Sequence, residues 1–334
     1  MIVKPFAIPL SVLQIEALHR RLPPAHPEKS EVWNRLRQET AGAFGKREVF
    51  RHLQLLPEHQ FLIFHHLRLH DSVCFFQMDL LLLTTSFIIN LEVKNYRGAV
   101  YFNEFDQLVQ VLEDGTEQVI DENPVTQAQR HGLQLHNWLQ QHEFPKVPIY
   151  SFVVLSSPKT LIKNHSANPE YSEHVISSSN ILPKIHEIFS KNRAPVLSNR
   201  QLNQLVQRLL ESDQPLRSNV LKQFQISYDD LIKGVLCPYC PHTVMKEHYA
   251  KWTCPSCQYF SYDDFIQAFN DYYLLVGDEI TNSKAREFLQ ITSKDKVNRL
   301  FKKAGYRSAG ETAGRRYFLE YREPQEQHAK AILK

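Results

Sequence analysis

No stretch of this 334-residue chain is long and apolar enough to cross a bilayer, which takes roughly 20 residues; the longest apolar run lies just after Asp79. A signal-peptide core is also missing. MIVKPFAIPL has one early Lys and a Pro inside a short apolar run, and no small-residue cleavage pattern follows, so the expected location is the cytoplasm. Charge of one sign is lacking too: 39 Lys and Arg stand against 36 Asp and Glu, a formal +3, so any nucleic-acid surface has to be local. There is no long internal repeat or low-complexity tract, and 43% hydrophobic with 22% charged residues excludes a wholly disordered protein. Cysteine is scarce and uneven. Cys237, Cys240, Cys254 and Cys257 crowd into one short segment, while Cys74 stands alone in a strand-like run and reads as a buried small hydrophobe.

What is present divides the chain, whose length suits two or three domains. Residues 1–60 carry apolar positions at helical spacing, interrupted by PPAHPE and with a kink or break expected at Gly42 and Gly45. The period then shortens. FLIFHHLRL, VCFFQMDLLLLTT and FIINLEVKN read as strands, followed by AVYFNEF and LVQVLEDG with Asp114-Gly115 as a hairpin turn. After Asn123-Pro124 a helix is expected, burying Val125, Ala128, Leu135, Trp138 and Leu139, and YSFVVLSS follows as a central strand after a crossover. ILPKIHEIF and NRQLNQLVQRLLES suggest connecting helices. DDFIQAFNDYYLLV, SKAREFLQI and SKDKVNRLFKKAG suggest three more, ahead of the strand-like RRYFLEY.

The sharpest polar feature of the first half is Gln77-Met78-Asp79 and, twelve residues on, Glu92-Val93-Lys94. Residues two apart on a strand face the same way, so Gln77 with Asp79, and Glu92 with Lys94, can share faces of neighbouring strands. Their surroundings are apolar, and burying these charges without partners is costly, so a ligand or a mutual network is expected. Two carboxylates beside a backbone carbonyl suit Mg2+ or Mn2+, and the lysine could orient water or stabilise developing negative charge. Spacing alone favours an ordinary, partly buried ion-pair network.

The stretch QMDLLLLTTSFIINLEVKNYRG resembles the core of the NERD, or nuclease-related, domain, a branch of the restriction-endonuclease-like PD-(D/E)xK superfamily. The resemblance implies that Asp79 is the first catalytic acid, Glu92 the second and Lys94 the motif lysine, with Gln77 at the polar position before the aspartate. Asn123, Pro124 and Gln127 resemble the family's Asn-Pro-x-x-Gln signature. Gln127 and Gln129 point about 200° apart on a helix, so at most one faces the sheet, and the resemblance selects Gln127. One departure stands out. The family often has Gly-Tyr-x-Gly-Glu in the lead-in helix, and here the run is Gly42-Ala43-Phe44-Gly45-Lys46 with Glu48 two positions late. Either Glu48 rotates in from a shifted register, or the acidic position is absent and metal binding is weaker or lost. Arg97, just beyond the lysine, can contact phosphate or face water.

Cys237-Pro-Tyr-Cys240 and Cys254-Pro-Ser-Cys257, thirteen residues apart, make two knuckles whose four thiolates suit tetrahedral, structural Zn2+. His242 and His248 between them read as solvent-facing or supporting groups. Trp252 reads as ribbon core. Downstream, residues 281–316 hold ten Lys or Arg against three Asp or Glu, a local +7. Lys296, Arg299, Lys302 and Lys303 lie outside the Val297, Leu300 and Phe301 stripe of a helix ended by Gly305, and Arg315 and Arg316 follow; a helix-turn-helix that contacts DNA phosphates is as good a reading as a solvated basic face.

The expected fold is therefore α/β, a restriction-endonuclease-like mixed sheet flanked by helices, followed by a zinc ribbon and a small helical domain with a candidate helix-turn-helix. The expected divisions are a helical extension (1–38), the NERD domain (39–160), a helical connector (161–232), the ribbon (233–262), a basic helical or winged-helix-like domain (263–325) and a flexible tail (326–334). The leading function is metal-dependent hydrolysis of DNA; the alternatives are a non-catalytic, nuclease-derived DNA-binding or regulatory protein, and a zinc-dependent protein-interaction scaffold. No membrane partner is expected.

Overall fold

Two units make up the chain, and neither is continuous in sequence: Met1–Pro9 folds with Thr40–Leu216, and Leu10–Glu39 folds with the residues from Arg217 onward. The structure, a computed structural model, describes residues 1–164, 169–249, 251–311 and 314–323. The expected tail, 326–334, lies outside the described residues. The segment 1–38 is shared between the two units, and the segment 161–232 is divided at Leu216.

In chain order the elements begin with β1 (Ile2–Lys4), α1 (Leu10–Arg21) and α2 (Lys29–Leu53). Strands β2 (Leu62–His70), β3 (Phe75–Leu83), β4 (Ile88–Lys94), β5 (Ala99–Phe102), β6 (Leu108–Val111) and β7 (Glu117–Val119) precede α3 (Pro124–Gln141). Then come β8 (Ile149–Leu155), β9 (Leu161–Asn164), α4 (Pro169–His174), β10 (Val175–Ser177), α5 (Ile181–Lys191), α6 (Asn199–Ser212) and α7 (Val220–Gln223). The remainder holds β11 (Lys246–His248), β12 (Lys251–Thr253), β13 (Phe260–Ser261), α8 (Phe265–Leu275), β14 (Glu279–Thr281), α9 (Asn282–Leu289), α10 (Lys294–Ala304), β15 (Arg307–Ala309) and β16 (Arg316–Phe318).

In the first unit a mixed six-stranded sheet runs β1-β2-β3-β4-β8-β10. Hairpin neighbours β2, β3 and β4 pair antiparallel, and β8 returns parallel to β4 after the α3 crossover. Helices cover both faces. Val49, Phe50 and Leu53 of α2 and Ile181 and Ile185 of α5 pack on Leu80, Leu82, Ile89 and Leu91. Leu135 and Trp138 of α3 and Leu205 and Leu209 of α6 pack on Phe64, Met78, Leu81 and Ile88. A second sheet, β7-β6-β5-β9, stands beside this one, and Gly115 in its β6–β7 turn takes a φ of +83° as the Asp-Gly signal anticipates.

Two glycines set how near the helices come. A Cβ on Gly132 of α3 would lie 2.5 Å from Ser151 Oγ on β8, and one on Gly45 of α2 would lie 2.5 Å from Ser156 Oγ and 3.0 Å from Asn95 Cβ. The break expected at Gly42 and Gly45 does not occur: α2 runs unbroken through both, and Gly45 serves close approach instead of bending. Helix α3 starts where expected, its Asn123 side chain accepting a hydrogen bond from the Val125 N–H with Pro124 in the first turn.

The second unit has its own core of Val235, Met245, Trp252, Phe265, Phe269, Tyr272, Phe288, Val297 and Phe301. A three-stranded ribbon, β11-β12-β13, is followed by α8, β14, α9, the turn to α10, and the β15–β16 hairpin, with β16 between β14 and β15. Helices α9 and α10, joined by a short turn, are followed by the β15–β16 hairpin, the element order in which the sequence suggested a helix-turn-helix and closing strand. Helix α1 is fastened here by charge. The Arg21 guanidinium, 1% exposed, donates to Asp271 Oδ2 at 2.7 Å and to the carbonyls of Ile232 and Gly234, while Arg20 donates to Asp271 Oδ1 at 2.8 Å. Asp271→Ala leaves the buried Arg21 guanidinium without a counter-charge and Arg20 with Glu16 alone, and is expected to destabilise this unit by about 3–5 kcal/mol, measured by denaturant unfolding; a loss under about 1 kcal/mol would show that the network is not what holds α1.

Candidate functional site

The site begins with a flaw in the sheet. The β3–β4 ladder runs from Leu83↔Ile88 to Leu80↔Leu91 and stops, so the strands part just before Asp79. On the other side, the β2–β3 register pairs His65 with Leu80 and Leu67 with Met78 but omits His66 and Asp79, where His66 takes a left-handed φ of +55°. Alternation breaks at this point. Met78 faces the α3 core and Leu80 the α2 core although they are two residues apart. Gln77 stays in the ladder opposite Arg68, whereas Asp79 has left it.

Freed from the ladder, Asp79 Oδ2 accepts a hydrogen bond from the Val93 N–H at 3.0 Å, and Oδ1 meets Lys46 Nζ at 2.6 Å. On β4, Glu92 Oε1 lies 2.8 Å from Lys94 Nζ, which also donates to Gln127 Oε1 of α3 at 2.8 Å. His131, one turn beyond Gln127, is buried with Nδ1 3.8 Å from Glu92 Oε2 and no hydrogen-bond partner on that atom. Asp79, Glu92, Lys94 and Gln127 are thus brought together, and Gln127, not Gln129, is the glutamine on Lys94. Glu48 is not: it is exposed and pairs with Arg51 at 3.2 Å. Lys46 comes in its stead, at the place where the family pattern has an acid.

Burial opposes the charge on Asp79, yet the Lys46 ammonium and the Val93 N–H hold its carboxyl below the usual range. Glu92 goes the other way. Burial, then the Asp79 charge, push it up to about 7 against the pull of Lys94. Burial also lowers His65 to about 3 and His66 and His131 to about 4, so near neutrality these rings carry no charge. Two carboxyl groups, of which Asp79 is the one held ionised, here face two ammonium groups. As a donor set, the carboxylates and the Val93 carbonyl suit a hard cation, but the Lys46 ammonium already sits on one Asp79 oxygen.

Lys46 and His131 went unread as site residues. The signal for Lys46 was its place immediately after Gly45; for His131 it was the i,i+4 spacing from Gln127, which puts both on one helix face.

The cysteines form a second centre. The Sγ atoms of Cys237, Cys240, Cys254 and Cys257 all lie within 4.8 Å of one another, and among the described residues this is the one group of three or more His, Cys, Asp or Glu side chains placed to hold an ion. Four thiolates could bind zinc. His242 and His248 stand outside the quartet; His242 Nδ1 lies 3.2 Å from the Arg20 carbonyl. Trp252 is buried in the core as expected. The reading of Cys74 as buried is overturned. It is exposed in the turn between β2 and β3, where the Asp71 carboxylate accepts hydrogen bonds from Val73 N–H and Cys74 N–H and the strand starts only at Phe75.

The basic residues lie where the sequence put them, but several are engaged. Lys296 pairs with Glu247 at 2.6 Å, Lys303 with Asp263 at 2.8 Å and Arg316 with Glu279 at 2.9 Å. Arg97, Arg299, Lys302 and Arg315 are exposed. Exposed pairs such as Lys303–Asp263 and Arg316–Glu279 contribute at most about 1 kcal/mol.

The raised Glu92 carries a testable sign. A folded state that holds a proton more tightly than the unfolded chain gains stability at low pH, and that gain is lost as pH rises from the ordinary 4.5 through about 7. Stability measured by denaturant at a series of pH values should therefore decline over that window in the wild type relative to Glu92→Gln; parallel profiles would remove Glu92 as the titrating group.

Comparison with curated proteins and with solved structures finds no match. The family comparison does: residues 41–156, the segment that runs from the helix bearing Lys46 through Asp79, Glu92, Lys94, Gln127 and His131 to the end of β8, match the model of NERD, the nuclease-related domain.

Proposed function

We propose that this segment is a divalent-metal-dependent nuclease centre acting on DNA phosphodiesters. The observation that carries the reading is the meeting of two buried carboxylates and a lysine where β3 and β4 part. Asp79, Glu92 and the Val93 carbonyl would hold Mg2+ or Mn2+. Such an ion, when bound, supplies an activated water and neutralises charge on the phosphate. Lys94, kept in place by Glu92 and Gln127, is the group to orient the attacking water and to stabilise negative charge developing on the phosphate oxygens. Lys46 opposes this arrangement by occupying Asp79, so it must turn aside before a cation can bind. The pairing of the two carboxyl groups with Lys46 and Lys94 favours a second reading, a nuclease-derived DNA-binding protein in which these residues are a buried polar network.

Cleavage of linear, circular and single-stranded DNA with Mg2+ or Mn2+ separates the two. Asp79→Ala should abolish cleavage and Lys94→Ala should reduce it about 100-fold or more. Indifference to both substitutions would sink the site, and a wild type that cleaves none of these substrates would favour the second reading. Lys46→Glu should tighten Mn2+ binding measured by calorimetry; unchanged affinity would end the role of Lys46 as a competitor.

In the second unit we propose structural Zn2+ on the four cysteines, with every coordination position filled by sulfur and none left for water. Elemental analysis should find a single zinc per chain that disappears in the Cys254→Ser/Cys257→Ser variant. DNA contact is assigned to Arg299 and Lys302, supported by Lys296, Lys303, Arg315 and Arg316 on this unit and by Arg97 on the other.

A further inference from the structure

The ribbon sheet has an inner and an outer face. Trp252, 3% exposed, marks the inner one together with Glu247 and Ser261, its partners in the register. Alternation puts Lys246, His248, Lys251, Thr253 and Phe260 on the other face. That face holds cations and an aromatic ring and no carboxylate. Glu247 points inward, where Lys296 takes it, and Asp263, beside Tyr262, is paired with Lys303. Phe260 and Tyr262 are 50% and 51% exposed, their ring centroids 6.2 Å apart and their planes at 83°. Lys251 Nζ lies 3.8 Å from the Phe260 ring centre.

Folding does not account for these rings. Half in water, they add little to a core that Trp252, Phe265 and Phe269 already fill, and neighbouring exposed aromatics usually mark a contact surface. A planar apolar ring with an ammonium group at its face offers two things at once, a stacking surface for a base and a counter-charge for the adjoining phosphate. In a duplex the base faces are hidden against each other, so only an unpaired strand can use such a surface.

We propose that the outer face of the ribbon, centred on Phe260, Tyr262 and Lys251, is a stacking platform for single-stranded DNA, with Lys303 of α10 at its Tyr262 edge, 6.0 Å from that ring centre. The choice of DNA rests on the proposed nuclease function; the platform itself does not.

The test uses the full-length, zinc-loaded protein in Mg2+-free buffer, so that binding is read without cleavage and its failure is distinct from failure of the nuclease centre. Fluorescence anisotropy with a labelled oligothymidylate of about 20 nucleotides should show binding that weakens about tenfold or more in Phe260→Ala/Tyr262→Ala, while duplex of the same length is affected less than threefold. Lys251→Gln should reduce affinity and flatten its salt dependence. Phe260→Leu/Tyr262→Leu, which keeps apolar bulk and removes the rings, guards against misfolding and should bind as weakly as the alanine pair. Unchanged oligothymidylate affinity in variants with full zinc content, equal losses on single strand and duplex, or tighter binding of oligouridylate than of oligothymidylate would each overturn the proposal.

Discussion

The α/β unit is organised around the desolvation of one carboxylate. Asp79 is 4% exposed, and an ionised carboxylate at that depth persists only if both oxygens are met by donors. Val93 can offer its N–H because β3 and β4 have ceased to pair, and Lys46 can offer its ammonium because Gly45 lets α2 lie against the strand ends. Glu92 then inherits what remains. With Asp79 already ionised nearby, a second negative charge is resisted, and the proton on Glu92 becomes hard to remove. The strand divergence, the left-handed His66, the close-packed helix and the displaced titration are parts of a single electrostatic arrangement.

The same kind of atom pair does different work in the second unit. Lys303 with Asp263 lies half in water on both sides, where opening a pair costs little, whereas Lys296 reaches from the surface to a Glu247 carboxylate that is only 15% exposed. Arg21 with Asp271 lies wholly inside, where opening the pair leaves a bare charge. Burial, more than distance, therefore divides this chain's ion pairs into those that fix structure and those available for exchange with a ligand.

Much of this was legible in the residues. Period and turn chemistry located β2, β3, β4, the Asp114-Gly115 hairpin and α3 with its Asn123 cap, because those signals are local. The cysteine spacing located the thiol quartet, and the apolar stripe of α10 left its lysines outside the core. What could not be read depended on partners remote in sequence. Nothing in Gln77-Met78-Asp79 announces that the ladder fails there, since the gap is made jointly with His66 on another strand. Gly42 and Gly45 read as a break because local propensity is blind to a helix pressed against a sheet. Cys74 read as core because its neighbours are apolar, but Asp71 holds the chain in a turn until Phe75. The substitution of Lys46 at an acidic position was visible as a letter, and its meaning emerged only with Asp79 beside it.

Helix α1 leaves the ribosome early and finds its place late. The carboxylate that satisfies Arg21 is encoded 250 residues downstream, so at about 5–20 residues per second the guanidinium waits some 10–50 seconds for it. Meanwhile Met1–Pro9 and Thr40–Leu216, which close among themselves, can complete the α/β unit. The unit bearing the cysteines therefore closes on segments far apart in sequence, Leu10–Glu39 with the residues from Arg217 onward, whereas the unit that holds Asp79 needs nothing beyond Leu216.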